Sequence, residues 1–397
     1  MTADASTSRP RGLRVVFAGG GTGGHLYPGL AIARALVKRA PEIEPFFIGA
    51  RRGIERDILP TAGFPYQLLA LHPLYRRTPW NNWRTLFGAT SAWRALSRVA
   101  ADQPPVAVIG TGGYAAGVAL AWARAHGIPT ALHEPDSHPG LTTRAFARGA
   151  RDIYLGFPEA ESMLRIGPQT RVLALGCPIE PPPVVRHSQR EARRAWGFPD
   201  DVFVVLVFGG SQGARALNEA VAAWCREGLP DTVALVWATG RAQADAYTRY
   251  ESAQVRVRPY LAPIADAYAV ADLAIARAGA MSIAELCAWG IPSVLVPLPT
   301  AAQDHQSHNA RTLAASGASI HLPQAELSVN HLDTMVRTLV AQPQTLRTMH
   351  DAALRRARPH AADDIARAVL ELLQSPRVAS TTRRTARSPL SSTNDAR

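Results

Sequence analysis

The sequence predicts an α/β protein of two units, each a parallel β-sheet covered by helices. Three observations carry this. Residues 13–18 form a short apolar run, rich in β-branched side chains, that stops at a glycine run over 19–24 and continues into helical spacing. The same grammar returns after the midpoint, where 202–208 meets the loop 209–213 and then apolar residues at helical spacing over 214–225. Further apolar runs at 106–109, 130–132, 233–237, 273–276 and 293–296 alternate with helix-like segments, the pattern of parallel sheets with helical crossovers.

Taken in order, the run LRVVFA at 13–18 reads as a buried strand, and Leu26, Leu30, Ala33, Leu36 and Val37 place a helix over about 28–39. A chain of 397 residues exceeds what one core usually supports. Residues 177–185 include Pro178 and the triplet Pro181, Pro182 and Pro183, a composition suited to a stiff connection. The expected division is therefore a first unit at 12–176, a linker at 177–198, a second unit at 199–373 and a disordered Ser/Thr- and Arg-bearing tail at 375–397. In open parallel sheets ligands sit beyond the carboxyl ends of the strands, so loops that follow strands are the ones to search.

The composition, 47% apolar and 19% charged, is that of a chain able to bury substantial cores. Forty-three Lys and Arg against 31 Asp and Glu give a formal charge of +12, which favours phosphorylated substrates, anionic lipid or nucleic acid without choosing among them. Cys177, Cys225 and Cys287 lie far apart and form no C-x-x-C pair, so neither a disulfide framework nor a structural zinc site is expected. The apolar run before the first glycine loop is too short for a signal-peptide core, and no stretch is long enough to span a bilayer.

Five glycines in the six residues 19–24 expose backbone N–H groups at a helix start, suited to a phosphate or to close approach by a substrate; a plain tight turn needs only one or two. The run lacks the Lys-Ser/Thr ending of a P-loop and the acidic partner of a dinucleotide fingerprint, which argues against ATP and NAD. His25 follows directly and is a candidate general base, or else a helix-start histidine bonded to backbone. The loop 209–214, with Ser211, again offers amides and a hydroxyl for a diphosphate, or a simple turn. In RAGAMSIAE at 277–285, Ser282 and Glu285 have capping-box spacing; the functional alternative places phosphate at the helix N-terminus and ribose hydroxyls on Glu285. The loop HEPDSHPG at 133–140 concentrates ionisable groups, including Glu134 and Asp136, but has no second cluster to complete a metal site, and no D-x-D occurs. Trp80, Trp83, Leu86 and Phe87 lie among Arg76, Arg77 and Arg84, suiting either a patch that enters an anionic headgroup zone or a core helix with solvated arginines.

Together these motifs resemble the MurG family, transferases that add N-acetylglucosamine to undecaprenyl-pyrophosphoryl-N-acetylmuramyl pentapeptide. The resemblance covers about residues 13–373 and rests on GGTGGHLYPGLAIA at 20–33, GTGGYAAG at 110–117, GGSQGA at 209–214, RAGAMSIAE at 277–285 and DHQSHNA at 304–310. It implies a GT-B fold, two Rossmann-like domains facing a central cleft, the second holding UDP-N-acetylglucosamine and the first the lipid-linked acceptor. It further implies that Glu285 binds ribose, that Ser211 and the amides of Ala280, Met281 and Ser282 bind the diphosphate, that Gln306 meets sugar hydroxyls, and that Leu261 lies by the uracil. Thr22, Gly23 and Gly24 would face the donor from the opposite domain, with His25 as base for a single inverting displacement. No cofactor, metal or nucleic acid is implied, and the place of action would be the cytoplasmic face of the membrane, peripherally, against an anionic surface. Two loops depart from the family pattern: H-E-x-N reads with Asp136 in place of the amide, and N-P-V-R ends in Glu180. A carboxylate at 180 cannot repeat the arginine's charge-assisted contact with phosphate. A related transferase for another lipid, a UDP-N-acetylglucosamine epimerase and a non-catalytic sugar-nucleotide or membrane-binding protein share enough of this pattern to stand as alternatives.

Overall fold

The computed structural model describes residues 12–71, 82–185, 188–210 and 212–375, and of 82–87 only the backbone. The first sheet has seven parallel strands: β1 (Leu13–Gly19), β2 (Ile43–Ala50), β3 (Tyr66–Leu69), β4 (Ala107–Gly112), β5 (Thr130–Glu134), β6 (Asp152–Leu155) and β7 (Arg171–Leu173), in the order β3-β2-β1-β4-β5-β6-β7. The second has six: β8 (Phe203–Phe208), β9 (Val233–Ala238), β10 (Val255–Arg258), β11 (Leu273–Ala276), β12 (Ser293–Leu295) and β13 (Ser319–His321), in the order β10-β9-β8-β11-β12-β13. Central strands are apolar on both faces because helices cover both. Phe17 of β1, for instance, pairs in register with Phe47 of β2 on one side and Ile109 of β4 on the other, and all three are buried.

In each sheet the strand order reverses once, between β1 and β4 and between β8 and β11. Adjacent strands there lead to helices on opposite faces, opening a crevice at their carboxyl ends. The loops in question are the glycine runs after β1 and β4 in the first sheet, and those after β8 and β11 in the second.

Three boundaries differ from the sequence expectation. The first helix runs Gly23–Arg39, so Gly23, Gly24 and His25 form its first turn rather than a loop before it, and Pro28 lies inside it. In the expected linker 177–198, Ser188 and Glu191 form a reciprocal capping box on a helix spanning Gln189–Ala195. Ala192 and Phe198 pack into the second unit's core, and Arg193 pairs with Asp272 at 2.8 Å. The last helix, Ala361–Gln374, was expected in the second unit but crosses back to the first. Its Ile365, Ala366, Val369 and Leu372 share a core with Val15, Phe17 and Leu30, while Arg171 pairs with Glu371 at 3.0 Å. Its strong amphipathicity demands an apolar partner, and that partner is the first helix rather than its neighbours in sequence. The expected tail beyond Ser375 lies outside the described residues.

The two units also meet through a small apolar cluster joining Phe157 and Cys177 to Ala280, Ile283, Cys287 and Leu313. Arg356 pairs with Glu159 across the same seam.

Candidate active site

On the first unit's side, the chain leaves β1 through the glycine run and enters the helix Gly23–Arg39 at Thr22, an extended N-cap whose side chain makes no capping bond. Thr22 and Gly24 are exposed and His25 is half-buried. His25 Nδ1 lies 3.1 Å from the carbonyl oxygen of Gly20. A carbonyl only accepts, so this bond requires the proton on Nδ1 and leaves the lone pair on Nε2. The run after β4 presses against the same ring: a Cβ at Gly112 would lie 2.5 Å from Cδ2 and 2.8 Å from Nε2 of His25, and one at Gly113 2.2 Å from the Gly20 carbonyl. Only glycine at both positions allows the loops to approach while space beside Nε2 stays open. Burial lowers the histidine's pKa, opposed by the Gly20 carbonyl and by the carboxylates of Asp136 and Glu55, and reinforced by His305.

The 133–140 loop ties the units together. Glu134 is buried at the end of β5 and accepts hydrogen bonds from the backbone N–H of Gly140 at 2.9 Å and of Asp136 at 3.2 Å. Burial, with Asp136 nearby, pushes its pKa up to about 7. Asp136 accepts a 2.7 Å bond from Nδ2 of Asn309 in the second unit, and Ser137 N–H donates to Asn309 Oδ1 at 2.8 Å. Toward Asn309 a carboxylate oxygen fills the acceptor role where the family pattern has an amide. His138 stacks on His308 across the same seam, centroids 4.4 Å apart. Burial pushes His133 down to about 4. Among the described residues no three His, Cys, Asp or Glu side chains converge as a metal site.

On the second unit's side, the helix Ala280–Trp289 starts after β11 with Gly279 as N-cap and no side-chain cap. Ser282 therefore lies inside the first turn, and the capping-box alternative does not hold. The first intrahelical amide bond is Ile283 N–H to Gly279 O, so the amides of Ala280, Met281 and Ser282 have no acceptor within the helix. Glu285, one turn in, accepts a 2.7 Å bond from the hydroxyl of Tyr268. Its pKa is raised by burial and further by the negative charge of the exposed Glu180. Leu261 is buried in the cluster that holds Phe208 and Tyr268. Gln306 accepts the N–H of Leu298 at 3.0 Å, leaving its NH2 group to donate. Just before it, Gln303 and Asp304 both hold φ of 55°, strained conformations for non-glycine residues. Ser211 lies outside the described residues. So does Trp80; Trp83, Leu86 and Phe87 lie on the helix Asn82–Asp102, with side chains outside the description.

Residues 15–155 match the glycosyltransferase family 28 N-terminal domain and residues 204–365 the glycosyltransferase family 28 C-terminal domain. The UDP-N-acetylglucosamine–N-acetylmuramyl-(pentapeptide) pyrophosphoryl-undecaprenol N-acetylglucosamine transferase of Moorella thermoacetica is 38% identical over 379 residues, covering 91% of this chain and 100% of the relative. The transferase of the same name from Chlorobaculum tepidum is 39% identical over 371 residues, again 91% of this chain and 100% of the relative. The chain belongs to the MurG family. A crystal structure of MurG from Acinetobacter baumannii superposes with a TM-score of 0.71 at 27% identity, covering 90% of this chain and 99% of that one. The fold is GT-B.

Within this MurG-family chain, the cleft brings Asp136 and His305 within electrostatic reach of His25, and Glu180 within reach of Glu285. Sequence reasoning missed Glu55, Tyr268 and Asn309 as parts of the site. Asn309 sat in a quoted motif, DHQSHNA, and was legible there as a buried polar position on a helix. Tyr268 and Glu55 carried no local signal, because their partners lie 17 and 34 residues away.

Proposed function

We propose that the chain transfers N-acetylglucosamine from UDP-N-acetylglucosamine to undecaprenyl-pyrophosphoryl-N-acetylmuramyl pentapeptide with inversion. The observation that carries the reading is the pairing across one cleft of a histidine whose Nε2 is left free with a helix N-terminus that has no side-chain cap, followed by a half-buried carboxylate. Near-full-length identity to transferases of that name supports it. His25 Nε2 takes the proton of the acceptor hydroxyl, whose oxygen attacks the anomeric carbon; the bond to the diphosphate breaks and UDP leaves with the electron pair. The amides of Ala280, Met281 and Ser282, with Ser211, meet the charge that grows on the leaving diphosphate. Glu285 accepts from ribose hydroxyls, Gln306 donates to the sugar, Leu261 borders the uracil, and Thr22, Gly23 and Gly24 close on the donor. Holding both substrates across the cleft supplies their orientation. The place of action is the cytoplasmic face of the membrane, against an anionic surface met by Trp80, Trp83, Leu86 and Phe87. No described helix is long and apolar enough to cross a bilayer, which fits peripheral attachment.

The test is radiolabelled transfer from UDP-N-acetylglucosamine to a panel of lipid-linked acceptors, with and without EDTA. Transfer to the muramyl pentapeptide lipid in both conditions is expected. Conversion of the donor into an isomeric UDP-sugar without any acceptor points to an epimerase instead, and loss of transfer on chelation with recovery on adding Mg²⁺ overturns the metal-free mechanism.

A further inference from the structure

Glu55 is fully buried, yet it lies directly beneath the loop that carries the base. It opens the short helix Glu55–Ile58 just after β2, which is the neighbour of β1, so the topology brings it under the turn that leaves β1. Its Oε1 accepts the backbone N–H of Gly21 at 2.6 Å and that of Ala50 at 3.5 Å. The sequence has cleared space around this carboxylate. A Cβ at Gly20 would fall 1.4 Å from Oε1, one at Gly53 1.7 Å from Oε2, and one at Gly49 2.9 Å from the Glu55 Cβ. Three glycines from two separate segments thus enclose one acidic side chain. Such a group costs free energy to bury, so a purely apolar residue would make the simpler filler.

The Gly21 N–H it holds belongs to the same planar peptide group as the Gly20 carbonyl, and that carbonyl holds Nδ1 of His25. We infer that Glu55 is a positioning residue: by clamping Gly21 N–H from below it aims the Gly20 carbonyl at Nδ1, which sets the imidazole tautomer and turns the Nε2 lone pair to the cleft. This rests on the reading of His25 as the base. The carboxylate acts through the loop and touches neither substrate.

Glu55→Met fills the same space without an acceptor, whereas Glu55→Gln keeps an oxygen for Gly21 N–H. The expected result is that Glu55→Met lowers kcat by about tenfold to a hundredfold, with UDP affinity changed far less than kcat because the amides proposed to meet the diphosphate belong to the other domain. Glu55→Gln recovers most of that loss. Because the Glu55 carboxylate charge raises the pKa of His25 and the Gln variant lacks it, the acid limb of that variant's kcat profile moves to lower pH. In histidine ring-nitrogen NMR, wild type and Glu55→Gln show the Nδ1–H tautomer at His25, and Glu55→Met shows a mixture. The tautomer reading needs no turnover, so it stands or falls independently of the proposed transfer reaction. Wild-type kcat in Glu55→Met, or equal loss in both variants with an unmoved acid limb and tautomer, overturns the assignment. If Glu55→Met does not fold, the pH limb and tautomer of Glu55→Gln decide it.

Discussion

Replacing Glu285 with Ala separates donor recognition from helix stability. In the free enzyme the carboxylate is held by one 2.7 Å bond from Tyr268, and the helix it sits on is capped by Gly279 rather than by a side chain. The loss of about 0.5–2 kcal/mol expected when a capping side chain is removed therefore does not apply. The variant strands the Tyr268 hydroxyl, which is buried, at a cost of about 1–3 kcal/mol. Part of this is offset, since a carboxylate that burial already disfavours has gone. The fold should survive with a melting temperature lowered by only a few degrees. Ribose hydroxyls donating to a carboxylate contribute about 1.5–3 kcal/mol, so the Kd for UDP should rise about 10- to 150-fold. Calorimetric titration with UDP beside thermal melting measures both. Tyr268→Phe, which keeps the carboxylate but frees it to wander, should weaken UDP less. A Kd within twofold of wild type in a folded Glu285→Ala protein refutes the ribose role.

Glu180→Arg removes a negative charge beside Glu285 and restores a cation toward the diphosphate, so UDP should bind several-fold tighter at low salt, with the gain shrinking as ionic strength rises; titrations at two salt concentrations check this. Glu134 holds its proton more tightly in the folded chain, up to about 7 against an ordinary 4.5. It therefore stabilises the fold below about pH 4.5 relative to neutral pH, and this contribution, on the order of 3 kcal/mol, is lost as pH rises through 7. Denaturant melts across that range should show a shallower pH dependence in Glu134→Gln. Replacing Trp80 and Trp83 together with Ser should release the protein from anionic vesicles while leaving transfer to a short-chain, water-soluble acceptor nearly unchanged; a variant that binds vesicles as wild type does sinks the patch assignment.

The sequence by itself determined the two-sheet architecture, because parallel strands buried on both faces must be continuous apolar runs, as at 13–18, 202–208 and 273–276, and because glycine runs mark where such strands turn into helices. It also marked helix starts that offer free backbone amides, as at 279–282, where residues are mostly small. What it could not show were contacts whose partners are remote in the chain. Ser282 and Glu285 have the spacing of a cap, yet backbone geometry one residue earlier gives the cap to Gly279. The helix Ala361–Gln374 announces an apolar face without saying that the first helix, at the other end of the chain, receives it. Asp136 looked like a defect in a loop until Asn309, from the other domain, supplied the donor that a carboxylate can accept. Glu55 was one more acidic residue until the packing of β1 against β2 set it beneath Gly21. Local pattern reports what each segment must bury or expose, but which surfaces meet, and so which polar groups satisfy one another, is decided only when the sheets and the cleft have formed.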